Sequence, residues 1–460
     1  MMLSPNLAPG ATLHGEGRIE RFMFRPVPVW LLFFMMLTGV MAAIGFGAIV
    51  LRPGPSGRIG DIAVDVASIP QALGKLMPGA RVSPVQGDYR RWPGGLQRNT
   101  AQPFVDPGYI LVTAFDGARA RPVVQLVRLS DGRILRSYAP DIDAVNARSR
   151  FTSNLIILKR DRDATRNLMM HPLMMPDGGL IIHDSSPLAR FDACGRLVWM
   201  VDGIFHHSVE RGPDGNLWAA FRYPKAREPH VGPKFNDEAI TEISPQGQVL
   251  RLERIADILD RNHLGQLWRS RPYDDDPFHL NDVQPIFSSG RYWQRGDLFL
   301  SLRNLSMILL YRPSTGRVLW WRSGPWAFQH DVDLVDDHRI SIFDNHWHFG
   351  FPEGDVEGLN RVPVYDFATD RVSFPYAAVT ERHAIRTHSQ GRATPFGNGD
   401  VMIEETERGR LIRAAPDGTL RWRYIAADAS MRRFELRWSR YLDPATDGPA
   451  IRAALQARCT

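Results

Sequence analysis

The sequence predicts an all-β protein: a six-bladed β-propeller carried behind an N-terminal transmembrane helix and a tether. Three observations point there. An uncharged apolar stretch runs from Val27 to Leu51. From Gly108 onward the chain is a series of short β-rich runs with turn signals about every 8–15 residues. One unit built from those runs recurs along the chain.

In chain order, residues 1–26 read as a cytoplasmic segment carrying Arg18, Arg21 and Arg25. Residues 27–51 ("VPVWLLFFMMLTGVMAAIGFGAIVL") are long enough to cross a hydrocarbon core of about 30 Å. The arginines before this stretch set its orientation by the positive-inside bias. It is too long for a signal-peptide core of about 7–15 residues and lacks a small-residue cleavage site, so an uncleaved anchor is expected. The reading is a single-pass protein of the inner (plasma) membrane with its bulk on the periplasmic side. Residues 52–100 are rich in Gly and Pro and read as a tether around one short helix, Ile69 to Met77. Residues 101–428 form the propeller. Residues 429–460 follow it, and their stretch "FELRWSRYL", Phe434 to Leu442, suits a strand closing the ring against the first blade.

The repeat becomes visible when the chain is cut before certain histidines: "HPLMMPDGGLIIHDSSPLARFDACGRLVWM" from His171, "HSVERGPDGNLWAAF" from His207, "HLNDVQPIFSSGRYW" from His279, "HDVDLVDDHRISIFDN" from His330 and "HSQGRATPFGNGDVMIEE" from His388. Each opens a short strand, a polar turn follows, and a second apolar strand comes next. A sixth unit without the histidine starts at Gly108. Sheets of three or four short strands cannot bury both faces alone and stack radially. The first strand of each blade lines the central channel, so histidines in repeat register converge on one axis.

Composition excludes other classes. The formal charge of +6 is almost wholly arginine, the lysines being Lys75, Lys159, Lys225 and Lys234, and no basic run suggests nucleic acid. Cys194 and Cys459 allow at most one bond, and with Cys459 next to the chain end two unpaired thiols are expected. No phosphate loop, dinucleotide turn, G-x-S-x-G or H-E-x-x-H occurs, so nothing suggests a nucleotide ligand, a serine hydrolase or a zincin, and no cofactor and no metal ligand is assigned.

The stretch from about Gly108 to Tyr424 resembles the bacterial arylsulfotransferases, six-bladed propellers. The resemblance rests on "FHHS" then "DGNLW" (Phe205 to Trp218), "HLND" then "GDLFLSLRN" (His279 to Asn304), "FQHDVDL" then "ISIFDN" (Phe328 to Asn345), and "EETERGRL" (Glu404 to Leu411). It implies transfer of a sulfuryl group from an aryl sulfate to a phenolic acceptor through a sulfo-histidine, with no nucleotide donor. The implied nucleophile is His330. His279, Asn281 and Arg303 are implied as hydrogen-bonding partners of the sulfuryl group, and His207 as a further channel histidine. His171 and His388 are added from the repeat as substrate-binding candidates. The sequence reads "HHS" where the family pattern is "HHD", which removes an expected orienting carboxylate.

Two other classes fit the residues: a non-catalytic envelope scaffold, and a divalent-metal site built from the convergent His, Asp and Glu side chains. Acceptor choice is assigned to the loops Pro224 to Asn236 and Gly350 to Asn360, with Phe221, Tyr223, Trp326, Trp347 and Phe349 as aromatic candidates.

Overall fold

The computed structural model describes residues 27–51, 57–67, 69–74, 92–101, 104–150, 162–232, 234–350, 354–427 and 433–459. The expected cytoplasmic segment 1–26 lies outside them. Val29–Leu51 forms an uninterrupted 23-residue helix, long and apolar enough to cross a membrane. Within residues 52–100, helices cover Gly57–Ala67 and Ile69–Gly74, and the end of the helix expected over Ile69 to Met77 lies outside the described residues. The last part of the expected tether is a strand, Gly95–Arg98, hydrogen-bonded to Leu420–Ile425.

The rest is an all-β, propeller-like array of antiparallel sheets. A four-stranded sheet holds Tyr109–Asp116, Arg121–Arg128, Ile134–Tyr138 and the late strand Arg440–Leu442, which pairs with Tyr109–Leu111. Two more four-stranded sheets are built from Leu280–Pro285 to Arg317–Ser323 and from Val332–Leu334 to Arg371–Ser373. A five-stranded sheet joins Arg392–Pro395, Val401–Glu405, Arg410–Ala414 and Leu420–Ile425 to Gly95–Arg98.

The expectation of six separate blades is corrected here. Four sheets stand alone with four or five strands, and the chain from Met170 to Arg254 makes one seven-stranded sheet. The cause is the 15-residue strand Leu197–Arg211, whose first half pairs with Ser186–Phe191 and whose second half pairs with Leu217–Arg222.

Apolar cores lie between successive strand groups, because alternate residues of each strand face opposite neighbours. Leu111, Leu126, Leu180 and Phe191 pack together, as do Ala220, Ile240, Leu298 and Leu300. Met402, Leu411 and Trp422 pack against Ile110, Val112 and Val127, which joins the last strand group to the first.

The thiols are also corrected. Cys194 and Cys459 form a disulfide with Cα atoms 5.3 Å apart. Sequence proximity to the terminus was misleading because the helix Pro444–Gln456 docks through Ile451 and Ala454 on the core under Ile134–Tyr138, returning the tail to the turn at Cys194.

Candidate active site

One backbone device recurs at the site. His171, His207 and His279 have φ of 47°, 55° and 52°, a left-handed conformation uncommon for residues other than glycine. Beside each the ladder skips: between Met170 and Leu173, between His206 and Val209, and between Leu280 and Asp282. A bulge re-aims the side chain it carries, and strain of this kind is held where the surrounding structure fixes it.

His207 and His279, so aimed, meet His330, which stands just before the strand Val332–Leu334. Ring centroids are 5.1 Å apart for His207 and His279, 5.9 Å for His207 and His330, and 6.4 Å for His279 and His330. One ring nitrogen of each lies within 4.8 Å of the others, a set that could also hold an imidazole-preferring cation. Trp438, from the C-terminal segment, closes the group from one side, 6.0 Å from His207 and 5.3 Å from His171.

Each ring has a different partner. His330 Nδ1 is 2.7 Å from Asn345 Oδ1, while the Asn345 amide nitrogen donates to the Gln390 carbonyl, so Nδ1 carries the proton. Its Nε2 accepts the Gln390 backbone N–H at 3.0 Å. Burial, then Arg303 and the neighbouring histidines, push the His330 pKa well below the ordinary value, so the ring is neutral at pH 7. His279 Nδ1 is hydrogen-bonded to Asp276. Burial alone would raise the Asp276 carboxyl, but the His279 ring outweighs it and the pKa is lowered to about 2. His207 Nδ1 is 2.9 Å from His206 Nδ1, and His206 Nε2 lies 3.6 Å from Glu238. Burial, then the charge of Asp276, raises Glu238 well above the usual carboxylate range.

The "HHS" departure has a structural answer. Ser208 is fully buried, and its hydroxyl accepts the Val283 N–H at 2.9 Å. Asp282 does the same for the Val332 N–H at 3.1 Å, and Asp331 for the Ala393 N–H at 2.9 Å. The residue after His207, Asn281 and His330 therefore clasps the first strand of the following repeat. Ser208 fills that role without a carboxylate, and carboxylates reach the histidines from Asp276 and Glu238 instead.

Asn281 is fully buried and donates to the Gln329 carbonyl at 3.1 Å, with its own Oδ1 unpartnered. Arg303 follows its strand in a short turn, donates to Asn304 at 2.7 Å, and lies 4.8 Å over the Phe328 ring. Burial lowers its pKa. The structure does not bring His171 and His388 into this group. His171 Nε2 is 2.6 Å from Arg392 and 3.3 Å from Glu210, in a closed inner layer. His388 is half-exposed against Asp355, because the turn at Gln390 and Gly391, both with positive φ, delays the strand to Arg392.

Beside Arg303 opens a cavity of about 590 Å³ walled by Phe235, Trp268, Phe328, Trp347 and Phe349. Of the expected aromatics, Trp347 and Phe349 line it, while Phe221, Tyr223 and Trp326 are buried in cores. Sequence reasoning missed His183, His206, Glu238, Asp276, Asn345 and Trp438. Three had a local signal: Asp276 stands three residues before His279 in "DDDPFH", His206 adjoins His207 in "FHHS", and Asn345 ends the unit that His330 opens; Glu238 and Trp438 come from segments distant in sequence. His183 is buried, and burial takes its pKa down to about 4.

The family model for arylsulfotransferases (ASST) matches residues 171–427, more than half of the chain, and spans each of these histidines. The chain belongs to the arylsulfotransferase family. Compared with the curated proteins, it finds no match. Among solved structures it is similar to a protein of unknown function from Bacteroides caccae (12% identity, TM-score 0.46, covering 73% of this chain and 99% of that one). It is also similar to virginiamycin B lyase from Staphylococcus aureus (10%, 0.36, 76% and 98%) and to hydrazine synthase from Kuenenia stuttgartiensis (12%, 0.39, 70% and 81%).

Proposed function

We propose that the chain transfers a sulfuryl group from an aryl sulfate to a phenolic acceptor through a sulfo-histidine on His330. The observation that carries this reading is the division of partners among three convergent imidazoles. A neutral amide on Nδ1 leaves His330 Nε2 a lone-pair nitrogen without favouring the imidazolium, as a nucleophile needs. The Asp276 carboxylate on Nδ1 orients the His279 ring for proton transfer at its other nitrogen.

In the first half-reaction the Nε2 lone pair of His330 forms the N–S bond and the S–O(aryl) bond breaks. The leaving phenolate takes the Nε2 proton of His279. Arg303 and the free N–H of the Asn281 amide are the donors available to the non-bridging sulfate oxygens. In the second half the acceptor oxygen bonds the sulfur as the N–S bond breaks and its electron pair returns to His330 Nε2, and the phenol's proton goes to His279. The His330 Nδ1–H stays on Asn345 throughout. The aromatic cavity suits a phenol on either side of the exchange.

One observation favours the scaffold reading: the Gln390 N–H already occupies His330 Nε2, so substrate must displace it. A chromogenic aryl sulfate with a phenol acceptor separates the two. Transfer lost in His330→Ala supports the enzyme, and no transfer over a broad donor panel supports the scaffold. A single-pass anchor holding the site on the periplasmic side belongs with the transferase reading, supported by the apolar helix and its flanking arginines.

A further inference from the structure

We propose that His346, His348 and Glu357 bind a divalent cation of the zinc class, and that this ion fixes the ribbon whose other face is the aromatic wall of the cavity. The three residues stand on a two-stranded hairpin, Trp347–His348 against Asp355–Val356. His346 and Glu357 face one another across it, the Glu357 N–H donating to the His346 carbonyl at 2.8 Å. His346 and His348 are two apart and share a face, because side chains alternate along a strand.

Distances point to a shared ion rather than to hydrogen bonds. Glu357 Oε2 is 3.4 Å from His348 Nε2 and 3.7 Å from His346 Nε2. Both exceed the roughly 2.7–3.2 Å of an N–H···O bond. Both approach the roughly 3.4 Å that separates two ligand atoms each about 2.1 Å from a tetrahedral ion. All three ligand atoms lie within 4.8 Å of one another, and the two rings meet edge to face at 81°. Two imidazoles and one carboxylate suit a borderline cation, with a fourth position left for water. His346 is held at φ 52°, its N–H donating to Asp344 at 2.8 Å, so its direction is set by backbone rather than by Glu357.

The alternation that puts His346 and His348 on one face puts Trp347 and Phe349 on the other. Those rings lie 4.7 Å and 5.3 Å from Phe328, the ring beneath Arg303. A cation at the histidine face therefore clamps the wall against which an aryl group stacks. Only this coupling rests on the transferase reading; the binding does not.

The test is calorimetric titration of the metal-stripped full chain with zinc chloride. The result expected is one equivalent whose affinity falls by more than about 100-fold in His348→Ala and in Glu357→Gln, since outer partners alone cost about 10–100-fold, and which is retained in His279→Ala. His348 and Glu357 are exposed, so both variants keep the fold. Zinc bound equally by wild type and His348→Ala overturns the proposal, as do no binding at all and loss of the equivalent only in His279→Ala. The titration uses no substrate, so its failure and that of the transferase reading are separate results.

Discussion

Two layers of the channel are made from the same kinds of residue and behave oppositely. At the mouth, His207, His279 and His330 have separate partners, partial exposure for the first two, and the aromatic cavity nearby. Deeper, His171, Arg392 and Arg440 are locked with Glu210, Asp282, Asp331 and Asp333. Arg392 meets His171 at 2.6 Å and lies near Asp331 and Asp333, and Arg440 pairs with Glu210 at 2.8 Å. Convergent ionisable groups do not make a site by themselves. The three imidazoles have neutral or single carboxylate partners, while the inner layer spends its charges on one another and holds the strand starts in place.

Variants at the two layers should therefore fail in different ways. The largest effect is expected for His330→Ala: transfer falls by about 10⁴-fold or more, as loss of a nucleophile does, while stability falls by no more than about 1–3 kcal/mol for the buried partners left unpaired. Next, Arg392→Ala leaves buried carboxylates uncompensated and lowers stability by about 3–5 kcal/mol, read by urea denaturation. Arg303→Ala at the mouth slows turnover by about 10²–10³-fold at wild-type stability. If the two arginine variants exchanged phenotypes, the division into layers would be wrong. Ser208→Ala removes one buried clasp and costs about 1–3 kcal/mol without changing the pH profile of transfer; a change in that profile would make Ser208 part of the chemistry.

The smallest effect is a slope. Burial, then Glu210, raises Asp282 to about 7. A carboxyl raised on folding binds its proton more tightly in the native state, so its contribution is present below the unfolded pKa near 4 and is lost as pH rises toward 7. The buried histidines, lowered on folding, act with the opposite sign, so the comparison must be by difference. Asp282→Asn should flatten the fall in stability between pH 4.5 and 7.5 relative to wild type, and an unaltered slope would place Asp282 outside the coupled web.

The sequence carried the parts of this that depend on repetition. Short alternating strands and histidines in register give the propeller texture and point five histidines at one axis, of which His207, His279 and His330 meet there. What it could not carry was angle and partnership. Left-handed backbone at His171, His207 and His279 costs about 1–3 kcal/mol at each position and has no residue signature, since any of the three could sit in plain extended strand. The separation of His171 from His330, and the departure of His388, follow from bulges and a turn one or two residues long. Glu238 and Trp438 reach the site from segments far away in sequence, so no local spacing announces them. Leu197–Arg211 reads as two strands and is one, its two halves pairing with different neighbours on either side of Gly203.

The central claim is that His330 carries the sulfuryl group. Peptide mass mapping of the full chain, quenched soon after mixing with an aryl sulfate and no acceptor, tests it directly. The account predicts a sulfuryl adduct on the peptide containing His330, absent in His330→Ala and discharged when a phenol is added. Transfer that proceeds with the adduct on His279 or His207, or with no protein adduct at all, would contradict it.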